Sequence, residues 1–147
     1  VEITMEAIKN AEKTGDDEVR GTAVMNLGNY ISDSALIVSG KLPGIKTQQQ
    51  GLDSALKLYT LAGRIAQKTG NIYIQALNLI NISGILIQEK KQDEALHYLN
   101  KAIALGTEGG FLQVCELSYE AKAKILEKQK KFLLQMACNH FEELSVR

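Results

Sequence analysis

Few residues in this 147-residue chain could do acid–base, nucleophilic or metal chemistry: it has two histidines and two cysteines. Asp93 and His97 stand four apart and would share one face of a helix. Two ligands make a poor metal site, and His97 is better explained as a solvated helix residue. Cys138 and His140 are two apart, which on a helix turns a thiol away from the base it would need. The sequence contains no glycine-rich phosphate loop ending in Lys-Ser/Thr, no Gly-x-Ser-x-Gly and no His-Glu-x-x-His. We therefore expect no enzyme, no cofactor and no metal site. Two cysteines without Cys-x-x-Cys spacing suit neither a disulfide scaffold nor a redox motif. Cys115 and Cys138 are expected to be reduced and buried, as in a cytoplasmic protein.

Chemistry thus gives way to surfaces, and surfaces depend on the elements that carry them. Hydrophobic residues form 45% of the chain and charged ones 23%, a globular composition. Seventeen basic and seventeen acidic residues cancel, leaving no overall field to draw nucleic acid or a membrane surface. The longest apolar stretch, 73–88, is interrupted by Gln75, Asn78, Asn81 and Ser83 and is not expected to span a bilayer. One proline, no tryptophan and abundant Ala, Leu, Ile, Lys, Glu and Gln predict an all-α fold. The chain opens at Val1 inside a helical pattern, and we expect it to be a fragment of a longer protein.

The helices repeat. "KTGD" at 13–16 and "KTGN" at 68–71 lie 55 residues apart. In each, a glycine (Gly15, Gly70) can end one helix in the left-handed conformation, and the next residue (Asp16, Asn71) can cap the following one. A second comparison aligns Ala55, Tyr59 and Ala62 with Ala95, Leu99 and Ala102, at a period of 40. The periods differ by 15, and the same 15 separates the Gly28-to-Ala55 interval from the Ser83-to-Ala95 interval. An insertion of 15 residues therefore lies between 28 and 55 of the first full unit. Helical periodicity predicts seven helices: 1–13, 17–39, 48–68, 72–89, 93–106, 111–129 and 132–145.

A triplet such as Asn26-Leu27-Gly28 or Asn81-Ile82-Ser83 in the first helix of a pair, then Ala, a bulky residue and Ala in the second, resembles the tetratricopeptide repeat. The last unit is weaker, with Phe132 at a position often aromatic in that family but Gln135 where Ala is usual. The 40-residue period and "SYEAKAKILEKQKKF" at 118–132 are similar to the long-helix arrays of bacterial sensor kinases and transcription regulators. The resemblance implies a right-handed α-α superhelix of antiparallel hairpins. Its parts would be 1–15 (second helix of a truncated repeat), 16–70 (repeat with insertion), 71–110 (repeat) and 111–147 (degenerate repeat). HEAT-type repeats share the period but not the small-bulky-small pattern.

The resemblance also implies a function: a non-enzymatic module holding an extended protein or peptide segment in its concave groove, as the sensory or scaffolding part of a signalling protein. Asn26 and Asn81 would pair with a peptide backbone, since an amide offers donors and an acceptor together. Along the same face lie Asn29 and Gly84, then Asp33 and Gln88, with Lys124 and Lys128 in the last unit. Acidic groups would suit the lysines, and a cation would suit Asp33. The insertion is expected to lengthen a hairpin into a finger with its tip at 39–46 and flanks at Leu36, Ile37, Val38 and Leu52. Such an apolar finger, or the ends of the array, supports an alternative role in homo-oligomer assembly.

Overall fold

The computed structural model describes residues 6, 8–10, 12, 13 and 15–146, and among the described residues it holds helices and no strand. Glu6, Ile8–Asn10, Glu12 and Lys13 are helical, while the rest of the expected first helix falls outside the described residues. Six bounded helices follow: α1 (Asp17–Ile31), α2 (Ser34–Val38), α3 (Gln48–Thr69), α4 (Ile72–Gln88), α5 (Gln92–Gly109) and α6 (Leu112–Val146).

Their ends obey local rules. Gly15 and Gly70 take φ of 70° and 71°, where only glycine is unstrained. Asp16 accepts from the Val19 amide and Asn71 from that of Ile74, both at 3.0 Å, as the near-copied tetrapeptides require. Gly110 repeats the stop, and the Phe111 amide closes onto the Gly106 carbonyl at 2.8 Å. Thr47 and Gln50 cap each other's backbone at the start of α3.

Two boundaries differ from expectation. The helix predicted over 17–39 breaks after Ile31, because the Asp33 carboxylate accepts from the amides of Ala35 (2.9 Å) and Leu36 (3.3 Å) and so starts α2 afresh. The break predicted at 130–131 is absent. "EKQKKF" contains neither glycine nor proline, so nothing ends α6, and its 35 residues run for about 52 Å.

Links of two or three residues reverse the chain between α3, α4, α5 and α6. Consecutive long helices pack together, and α4 also meets α1 and α6. By contrast, α3 and α5 both lean on α4 without packing on one another. The small-bulky-small pattern sets these contacts: Ala55, Ala62, Ala95 and Ala102 have no exposed surface, and Tyr59 and Leu99 fill the space between them. A Cβ on Gly28 would stand 2.6 Å from Tyr59 Cε1, which explains a glycine inside α1.

The insertion does not form a finger. Capped at Asp33, it folds back, burying Ile37, Leu42 and Leu52 to 5% exposure or less, with Ile37 packed over Gly51. Val38 is the one expected flank left exposed, and Leu36 is half-buried. The insertion thus buries most of its own apolar residues and leaves Val38 out.

Candidate functional site

The eight expected groove positions lie on α1, α4 and α6, with Asp33 at the start of α2. Asn26 is exposed on α1 and Asn81 half-buried on α4, and neither side chain makes a hydrogen bond among the described residues. Asn29 is engaged, since its Oδ1 accepts from the Tyr59 hydroxyl at 2.7 Å. That bond anchors the ring that Gly28 admits. Asp33 is exposed and its Oδ1 caps α2. Gln88 accepts from Gln48 at 3.3 Å and ties the end of α4 to the start of α3. Gly84 faces open space: a Cβ there would meet nothing within 4 Å.

Lys124 and Lys128 do come together, on the wall of a groove between α4 and α6 of about 580 Å³. Its floor is Ile80 and Ile87 from α4 with Ala121 and Ile125 from α6. The small side chain of Ala121 leaves the opening. Lys124 is paired along its helix with Glu120 at 2.8 Å, and Lys131 with Glu127 at 3.1 Å. The Lys124 ammonium beside Glu120 holds that carboxyl below its usual range, first by hydrogen bonding and then by charge. Lys128 has no carboxylate partner among the described residues. An apolar trough bordered by a lysine of this kind can take aliphatic side chains and one acid.

A second groove, of about 520 Å³, opens where α3 and α5 fail to meet, over α4. Tyr59, Asn78 and Ile82 line it, with Arg64, Tyr98 and Lys101 around them. Asn78 is 2% exposed; its amide donates to the Ile74 carbonyl at 2.9 Å, and its Oδ1 has no hydrogen-bond partner among the described residues. Burial pushes the Tyr59 hydroxyl above the ordinary phenol range.

Sequence reasoning missed Ile80 and Ile87 as groove residues, because α4 is apolar on nearly every side. The available signal was Ala121 opposite them, too small to fill the space. Asn78 was also missed, being an asparagine only three residues from Asn81.

His97 and His140 are exposed, as is Cys138, while Cys115 is half-buried. The expectation that both cysteines are buried therefore fails, since Cys138 sits on the part of α6 that nothing covers. Among the described residues no cluster of three His, Cys, Asp or Glu side chains could hold a metal. No helix among them is long and apolar enough to cross a membrane. The sequence matches no protein-family model, and neither a curated protein nor a solved structure matches it.

Proposed function

We propose that this chain is a non-enzymatic binding module of the tetratricopeptide type, whose task is to hold a protein segment in the groove between α4 and α6. The carrying observation is an apolar floor, Ile80, Ile87 and Ile125, under a rim where Glu120 and Glu127 are paired with Lys124 and Lys131 while Lys128 has no carboxylate partner among the described residues. The segment that fits is amphipathic and acidic. Its aliphatic side chains displace water from the floor, at about 25 cal/mol per Å² of apolar surface covered, and a Glu or Asp meets Lys128. The superhelical arrangement and the place of the module in a signalling protein rest on the resemblance of the repeated residues.

Selection from a random peptide library tests this, with Ala121→Trp as the blocked control. An added indole at Ala121 fills the trough from the α6 side. Peptides selected on the wild type are expected to alternate aliphatic and acidic residues. They should bind Ala121→Trp at least about tenfold more weakly, the loss expected when roughly 1.4 kcal/mol of contact is removed, and lose affinity to Lys128→Glu. Circular dichroism establishes equal helicity. Peptides that bind both variants as well as the wild type would dismiss the groove as the site.

A further inference from the structure

From Lys130 to Ser145 every residue of α6 is exposed. This segment is not polar. Phe132, Leu133, Leu134, Met136, Phe141 and Leu144 are all more than half exposed. A row runs along one side of the helix through Leu126, Leu133, Ala137 and Leu144, spaced seven, four and seven residues, which keeps it on one line of a 3.6-residue helix. The row stands about 100° round the helix from the docked face, because Leu126 follows the buried Ile125 directly. It can therefore be covered without disturbing the packing on α4 and α5.

We infer that the row is covered by the same segment of a second copy, running antiparallel. Charge selects both the occupant and the direction. Residues 126–131 contain Lys128, Lys130 and Lys131 against Glu127, a net charge of +2. Residues 141–145 contain Glu142 and Glu143, a net charge of −2. Two copies crossing antiparallel about residue 136 set each basic end beside the partner's acidic end, on both sides of the two-fold axis. A parallel pair would set like against like. The ion pair between Lys131 and Glu127 is exposed and does not hold the lysine from this role. The pairing also gives the segment a stability it lacks alone, since a helix of this length is marginal in water. This inference goes beyond the binding groove: Lys128 and Lys131 border both, but no residue of the apolar row lines the groove, and the two readings can fail separately.

Cross-linking distinguishes the arrangements. In a Cys115→Ser/Cys138→Ser background, Ala137→Cys places a thiol near the proposed axis and Leu144→Cys places one far from it. Antiparallel copies separate the two Leu144→Cys thiols by about 24 Å along the helices, but the two Ala137→Cys thiols by only about 3 Å. The expected result is a particle of twice 16.2 kDa by light scattering, oxidised to a disulfide dimer through Ala137→Cys and not through Leu144→Cys. Leu133→Asp, an exposed change that leaves the fold intact, should return it to a monomer. A monomeric wild type across a hundredfold range of concentration overturns the inference. So does cross-linking through Leu144→Cys, or a dimer that survives Leu133→Asp. Peptide binding measured on the monomeric Leu133→Asp protein reports on the groove independently.

Discussion

Replacing Gly28 by alanine tests the packing at the centre of the first hairpin, because two effects of similar size oppose each other. Inside a helix, alanine is favoured over glycine by about 1 kcal/mol. Against this, the new methyl would stand 2.6 Å from Cε1 and 2.9 Å from Cδ1 of Tyr59. The ring cannot move aside freely. It is 3% exposed, and its hydroxyl is held by Asn29 at 2.7 Å. Overpacking of this kind costs about 1–3 kcal/mol, and loosening the hydroxyl's bond adds about 1 kcal/mol. The net expectation is a loss of about 1–3 kcal/mol, which in a domain of this size lowers Tm by roughly 2–12 °C.

Gly63→Ala and Gly84→Ala are the controls. Both glycines lie inside helices, and an added Cβ at either meets nothing within 4 Å. These variants should gain up to about 1 kcal/mol, raising Tm by roughly 2–4 °C. Urea titrations followed by circular dichroism would compare the three. Repeating Gly28→Ala in a Tyr59→Leu background, where no ring edge is present, should turn its effect from loss to gain. If Gly28→Ala alone stabilises as much as the two controls, the close approach of α1 to Tyr59 is refuted.

Tyr59 also offers a spectroscopic test. Its pKa is raised by burial, so the phenol stays protonated in the fold after the unfolded chain would have lost its proton. The corresponding stabilisation is whole below the ordinary phenol range and is lost as pH climbs through the raised value. Ultraviolet titration should show one of the five tyrosines ionising late, a component missing from Tyr59→Phe; five coincident titrations would contradict the burial. At Asn78, the unpaired Oδ1 should make the nearly isosteric Asn78→Leu more stable by about 1–3 kcal/mol. A loss of stability instead would mean that the oxygen has a partner, such as an ordered water.

What the sequence revealed follows the range of each cause. Gly15, Gly70, Asp16 and Asn71 act on their own turn of chain, so their roles were legible from spacing. Ala55, Tyr59 and Ala62 act across one interface, and repetition in a second unit exposed them. The break before α2 was harder to see. "SDSALIV" carries a cap at Asp33, but its apolar run also continues a helical period, and only the burial of Leu42 and of Ile37, packed over Gly51 of α3, favours the turn. At 130–131 the local signal was sound, with no breaker present, and the 40-residue period misled. The register sets Lys124 and Lys128 one turn apart on α6, and both line the α4–α6 groove. Whether Asn78 or Asn81 would be the buried amide could not be read, since it depends on where α3 and α5 settle on α4.

That α3 and α5 meet α4 and not each other has a kinetic consequence. Apart from the α1–α3 pair, nearly all packing joins helices adjacent in sequence, so few other contacts must wait for the closure of a long loop. The α4–α5 hairpin, closed by a three-residue link, can form first and offers a ready surface at either side. α6 adds from one direction and α3 from the other, each through a two-residue link. α1 comes last, because its place depends on ordering the segment through residues 32–47. Folding of this chain should therefore spread outward from its middle, and lesions in α4 should slow it more than lesions of equal cost in α1.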